Sequence, residues 1–273
     1  MNLTSNYLTI DVEDYFQVSA FEDVINPKDW DAMEQRVVGN TELVLSLLAD
    51  YSVKATFFIV GWIADKFPHL VEIIHNQGHT IGCHSYWHRK VYDLSPEEFR
   101  ADTLKAKLLL ENIIGEPVLG YRAPSYSITG KSLWALDILK ELGFIYDSSI
   151  FPIHHDTYGI PSAPRFVYQH VNGLLEYPIS TALFLGRRVP VSGGGYFRLF
   201  PYWFTRWALQ TINEKESKPF VFYLHPWELD PDQPRIHKIR RFSRFRHYNQ
   251  LQRTQSRFEQ LLKDFVFAPL PTA

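Results

Sequence analysis

The sequence predicts an α/β fold, a parallel sheet with covering helices. Two observations carry this reading. Short runs rich in β-branched and aromatic residues alternate with stretches of helical period from residue 7 to residue 147. Polar, chemistry-bearing residues recur where those runs end, which in parallel sheets and barrels is where function sits.

The elements follow in order. Tyr7 to Glu13 (YLTIDVE) reads as a strand, Thr41 to Tyr51 as a helix and Ala55 to Val60 (ATFFIV) as a second strand. A helix then runs through Ile74 and stops at Gly78, and His79 to His84 forms a third strand. Ser95-Pro96-Glu97-Glu98 is a helix start with a Ser cap, Pro at the first helical position and Glu three residues on. That helix carries to about Gly115. Leu119 to Pro124 is a fourth strand, Thr129 to Leu142 a helix ended by Gly143, and Phe144 to Asp147 a fifth strand. Residues 151–173, rich in Pro, His and Tyr, predict an ordered loop excursion. Leu174 to Pro178 and Tyr196 to Phe200 are expected as strands, with Ser192-Gly193-Gly194-Gly195 as a turn between them. Tyr202 to Lys215 reads as a helix, Pro219 to His225 as a buried strand and Asn249 to Phe265 as a last helix.

Bulk properties narrow the class. The 273 residues suffice for one large domain or two small ones. Hydrophobic residues at 45% and aromatics at 15% allow a sizeable core and exclude global disorder. A net charge of −2 with a pI near 6.6 gives no overall attraction to nucleic acid or membrane. Cys83 is the one cysteine, so no intramolecular disulfide forms and a reducing compartment is compatible. The opening MNLTSNYLTIDVEDYF does not read as a signal peptide, and no run has the ~18 apolar residues of a membrane span. The expectation is a soluble cytoplasmic protein of unknown oligomeric state.

The strand ends then supply the chemistry. The first ends in Asp11, Glu13 and Asp14, and the third in His84, with His88 four residues on in HSYWH. The fourth ends in Arg122, the fifth in Asp147, and the late strand in His225. Two His four apart in a helical turn lie on one side, a workable bite for a metal ion. A carboxylate from the neighbouring strand completes a His₂-carboxylate set with open positions for water and substrate. Such an ion lowers the pKa of its water and polarises a carbonyl. The carboxylate ligand is Glu13 or Asp14. Glu13 shares a strand face with Asp11 and is favoured, unless the strand has already ended there. The ion is expected to be Zn²⁺, although the same set accepts Co²⁺, Ni²⁺ or Fe²⁺.

The ordered set TIDVED, HSYWH, RAPSYS, DSS and LH resembles the five motifs of the polysaccharide deacetylase family, the NodB-homology or carbohydrate esterase family 4 group. The motifs run from residue 9 to residue 225. The resemblance implies a distorted (β/α) barrel over residues 1–230 and a metal-dependent hydrolase removing acetyl groups from N-acetylhexosamine units. Its substrate would be an exopolysaccharide or a lipid-linked precursor. It also implies roles. Asp11 is the base, Arg122 holds it ionised, and His225 is the acid that protonates the leaving amine. Asp147 orients His225 and raises its pKa. The backbone N–H of Ser125 faces the oxyanion, and Tyr126 lines the same pocket. Asp11-Val12-Glu13-Asp14 departs from the family's commoner adjacent Asp pair, and Ser125 stands where Tyr is more usual. Relatives of the fold also hydrolyse small cyclic amides or sugar formamides, which is the alternative reading. A non-catalytic sugar-binding module is a further one.

Residues 231–273 are expected as a basic, helical extension packed on the barrel, resembling that of an exosortase-associated branch. From Arg235 to Arg257 there are eight Lys or Arg and no Asp or Glu. The favoured reading is a solvated basic face whose aromatics pack on the barrel. The other is contact with phosphate groups of a lipid-linked glycan or with the membrane surface.

Overall fold

The computed structural model describes residues 4–237 and 239–271. Strand β1 (Ser5–Val12) is followed by helix α1 (Val37–Asp50), β2 (Thr56–Ile59), α2 (Gly61–Lys66), α3 (Pro68–Asn76) and β3 (Thr80–Cys83). The long α4 (Pro96–Ile114) leads to β4 (Gly120–Tyr121), α5 (Ala135–Glu141) and β5 (Tyr146–Asp147). The second half holds β6 (Tyr168–Gln169), β7 (Leu175–Glu176), β8 (Thr181–Phe184), β9 (Arg187–Pro190), α6 (Gly194–Leu199) and α7 (Tyr202–Lys215). It closes with β10 (Val221–Leu224), α8 (Arg241–Tyr248), α9 (Thr254–Asp264) and β11 (Val266–Ala268).

The main sheet runs β10-β1-β2-β3-β4-β5-β7-β6, with β11 also pairing along β1. Its pairings are parallel except β6–β7, while β8 and β9 form a separate antiparallel hairpin. Curled and helix-covered, it is a distorted (β/α) barrel. All four residues of β2 and all four of β10 are buried, as expected of parallel strands covered on both faces. Register lines up the strand ends. Ile10 pairs with Leu224, Cys83 with Tyr121, Tyr121 with Asp147, and Asp147 with Glu176. The residues that follow these pairs, Asp11, His84, Arg122 and His225, therefore emerge along one edge.

Local signals held where they were chemical. Ser95 and Glu98 make the reciprocal capping box, and Gly115 ends α4 with φ 72°. Elsewhere the structure departs from the expectation. The helix expected through Ile74 breaks at Phe67, because Pro68 opens α3 and disfavours helical geometry in the residue before it. Tyr196 to Phe200 is not a strand. Gly194–Leu199 is helical, since Gly193 (φ 132°) packs against the Tyr223 backbone with no room for a Cβ and turns the chain into α6. The β8–β9 hairpin was not anticipated; its Leu185-Gly186 turn has positive φ at both residues. The last predicted helix is α9, which starts later, at Thr254, while α8 lies wholly upstream of the predicted start and was not anticipated. Among the described residues no helix is long and apolar enough to cross a membrane.

Substituting Ser95 by Ala removes the Oγ that accepts the Glu98 N–H and leaves the arm from the Ser95 backbone N–H to Glu98 Oε2. The expected loss is about 1 kcal/mol, read as a lower urea midpoint at unchanged slope.

Candidate metal and catalytic centre

Arg122 follows β4 and is fully buried. Its Nη1 donates to Asp11 Oδ1 at 2.6 Å and to Thr9 Oγ1 at 2.7 Å. Its Nε and Nη2 donate to the backbone and side-chain oxygens of Ser148, at 3.0 and 2.7 Å. The guanidinium thus ties β1 to the end of β5 and fixes one oxygen of Asp11, leaving Oδ2 facing His225 Nε2 at 3.8 Å.

Glu13, His84 and His88 are buried, and their ligand atoms lie within 4.8 Å of one another. His84 Nδ1–H donates to the Arg122 carbonyl at 2.7 Å, which leaves Nε2 with its lone pair. A backbone partner on the other ring nitrogen is the usual arrangement of a metal-ligating His. Burial pushes the His84 pKa down to about 4, so the ring is neutral. His88 Nε2 sits 2.6 Å from Glu13 Oε2, and its buried Nδ1 has no partner. Burial alone would raise the Glu13 carboxyl, but His88, His225 and His84 outweigh it and hold it well below its usual range. One carboxylate and two buried imidazoles fit a divalent ion of the zinc type. The two His are not on a helix, as the spacing had suggested. Ser85 and His88 take positive φ (58° and 52°), and that loop turns both rings inward to a centroid separation of 5.1 Å.

Two expectations need correction. Asp14 does not join the set. Its carboxylate accepts backbone N–H groups from Tyr15, Arg36 and Val37, capping α1, because the chain leaves the strand after Val12. Nor does Asp147 orient His225. Asp147 accepts from Ser149 Oγ at 2.5 Å and pairs in register with Glu176, since its strand position points it into the barrel wall. The partner of His225 is Glu228, whose Oε1 lies 2.7 Å from Nδ1 and also accepts the His225 backbone N–H at 3.1 Å. Arg198 holds the other Glu228 oxygen at 2.6 Å. Burial lowers the His225 pKa, but Glu13, Glu228 and Asp11 together push it up to about 9, making the ring a cation at neutral pH.

Sequence reasoning also missed the wall behind His225. Trp227 stacks on His225 at 5.3 Å and donates Nε1–H to Glu13 Oε1 at 3.0 Å. His247 stacks with the same Trp227 ring at 4.3 Å. The one signal available was the carboxyl three residues after His225, the spacing of a capping box. Ser125 and Tyr126 both adopt positive φ (52° and 54°) after Pro124. Tyr126 packs 5.1 Å from Tyr223 with its buried hydroxyl unpaired, while Ser125 Oγ meets Ser19 Oγ at 2.5 Å. Beside His88 opens a cleft of about 250 Å³ lined in part by Phe16, Gln17, Trp30, Trp87 and Lys90. The Gln17 Nε2 there is buried without a partner.

Two titrations follow. In the metal-free protein the His225 ring should titrate near 9 by NMR, fall toward its ordinary value in Glu228→Gln, and not move in Asp147→Asn. Burial raises both Asp147 and Glu176, the latter to about 7. The folded state therefore binds the extra proton. The associated stability is full below the ordinary value of 4.5 and lost as pH rises through about 7. Denaturation midpoints across that window should fall less steeply in Glu176→Gln than in the parent.

Comparison with known proteins relates two stretches of the chain to described families. The family described as "Polysaccharide deacetylase" matches residues 28–146, and "Domain of unknown function (DUF3473)" matches residues 148–273. A peptidoglycan-N-acetylglucosamine deacetylase of Bacillus cereus is 36% identical over 98 residues, covering 36% of this chain and 36% of that protein. A chitooligosaccharide deacetylase of Azorhizobium caulinodans is 34% identical over 85 residues, covering 31% of this chain and 40% of that protein. The matched part thus spans well under half of these relatives. Among solved structures, a family 4 carbohydrate esterase from Streptomyces lividans superposes with TM-score 0.51 at 12% identity, covering 100% of this chain and 94% of that one. The Puue allantoinase does so with TM-score 0.59 at 14% identity, covering 96% and 85%. At such identities the structures speak for the fold alone. Residues 28–146, which hold His84, His88 and Arg122, are thus a polysaccharide deacetylase domain of the NodB-homology, carbohydrate esterase family 4 group.

Proposed function

We propose that this chain is a metal-dependent hydrolase removing N-acetyl groups from N-acetylhexosamine units of an exopolysaccharide or its lipid-linked precursor. One observation carries the reading. A buried Glu13-His84-His88 donor set lies next to an arginine-paired Asp11 and a cationic His225. A divalent ion there, zinc by preference, supplies the Lewis acidity that polarises an amide carbonyl and acidifies water.

The chain's own groups do the rest. Asp11, aligned by Arg122, accepts the proton of the attacking water through Oδ2. The backbone N–H of Ser125 donates to the developing oxyanion. His225 donates its proton to the amine nitrogen as the C–N bond breaks, so the products are acetate and the free amine. Glu228 keeps that ring charged and aimed. The cleft beside His88 receives the sugar, with Trp87 offering a stacking face and Gln17 an unpaired donor. Within the same proposal, residues 1–230 form the catalytic barrel, 231–273 its extension, and the protein acts in the cytoplasm.

The test is metal content together with acetate release from N-acetylglucosamine oligomers. His84→Ala should lose metal and activity. Asp11→Asn should keep metal and lose about 10²–10⁴ of the rate. Stoichiometric metal without acetate release would move the search to another acyl group. Protein that takes up no metal in any preparation would overturn the mechanism in favour of cyclic-amide hydrolysis or plain sugar binding.

A further inference from the structure

Helix α8 carries a surface that the chemistry above leaves unused. Arg235, Arg240, Arg241, Arg244 and Arg246 are exposed, and the sequence has no Asp or Glu from residue 233 to residue 258. Among the described residues, none of these guanidiniums pairs with a carboxylate, and two of them meet aromatic rings. Arg235 lies 4.3 Å over Tyr248 and near the Pro231 carbonyl, and Arg246 sits over Phe242 and 3.0 Å from His155 Nε2. Lys238 of the same basic stretch lies outside the described residues. Between the cations, Phe242 and Phe245 are 68% and 53% exposed, against the expectation that these aromatics pack on the barrel. At i and i+3 they share one side of the helix.

The helix cannot turn them inward, because its inner face is occupied. His247 is buried against Trp227 and Phe21. Arg198 donates to the carbonyls of His247 and Asn249.

We propose that α8 docks the protein on an anionic bilayer surface, its arginines at the headgroups and Phe242 and Phe245 in the interfacial layer. Uncompensated cations call for an anionic partner. Exposed phenyl rings among them suit a lipid interface, where an amphipathic segment gains from apolar burial and from headgroup charge together. A second copy of the chain does not fit, since a two-fold contact sets the same arginines against each other. Docking here holds His225 close to the lipid, because His247 of α8 and His225 both stack with one Trp227 ring. Its use, presenting a glycan carried on lipid to the active site, rests on the deacetylase reading; the docking itself does not.

The experiment is vesicle flotation of the full chain with phosphatidylcholine alone and with added phosphatidylglycerol, at low and high salt. Binding should require phosphatidylglycerol and weaken with salt. Arg241→Gln with Arg244→Gln should reduce it roughly 25-fold, at about fivefold per arginine. Phe242→Ser with Phe245→Ser should reduce it by about tenfold or more. Both pairs should keep the parent melting temperature and acetate release from soluble oligomers. Equal binding to neutral vesicles, indifference to either pair, or retention on single-stranded RNA without vesicle binding would overturn the proposal. Vesicle binding by a protein that releases no acetate would keep the docking and remove only its use.

Discussion

A guanidinium with no access to water must satisfy its donors inside the protein, and most of the centre is arranged around that demand. Leaving a buried charge unpaired costs on the order of several kcal/mol. Arg122 meets the demand with oxygens from Thr9, Asp11 and Ser148. Those acceptors are themselves fixed, Thr9 by the Phe222 carbonyl on β10 and Ser148 by the Tyr177 carbonyl after β7. One side chain therefore sets how β10, β1, β4, β5 and β7 lie at their carboxyl ends. Asp11 is held as a consequence, and so is His84, whose ring leans on the backbone oxygen of Arg122 itself.

The centre is assembled from both halves of the chain. His84, His88 and Arg122 fall within residues 28–146, matched by the deacetylase family. His225, Glu228, Arg198 and His247 fall within residues 148–273, matched by a domain whose function is undescribed. The second region closes the site physically. Glu228 is clamped by Arg198, and the Trp227 ring that stacks with His225 and His247 reaches across to Glu13. The Arg198 bonds to the His247 and Asn249 carbonyls tie the C-terminal segment to the same pair. A deletion within that segment should therefore disturb the acid as well as the surface.

What could be read from the sequence was whatever is written in local chemistry. Strand periods, the Ser95 cap, the Gly115 stop and the ends at Asp11, His84, Arg122 and His225 depend on near neighbours. What failed depended on distant ones. Asp147 occupies the motif position expected to serve His225, yet its neighbour across the ladder is Glu176, more than 25 residues downstream. Gly193 reads as a turn until the Tyr223 backbone passes against it. Asp14 and Glu13 are adjacent in sequence. Only the path of the chain into α1 shows that the first caps a helix while the second faces the imidazoles.

Histidine itself shows how the environment assigns the roles. His84 and His225 begin with one intrinsic pKa and are driven apart, to about 4 and about 9. Burial opposes the charge on both. At His84 burial, helped by the His88 ring, outweighs the carboxylates of Asp11 and Glu13, and the Arg122 carbonyl fixes the tautomer, so a lone pair is presented. At His225 the carboxylates of Glu13, Glu228 and Asp11 overcome burial, so a proton is presented. A ligand must be neutral and a general acid must be charged. Opposite displacement of two like groups within one centre is the signature of divided acid–base labour. An ion bound at Glu13 would neutralise the first of those carboxylates. The charge on His225 would then depend mainly on Glu228, which stands outside the ligand set and is itself fixed by Arg198.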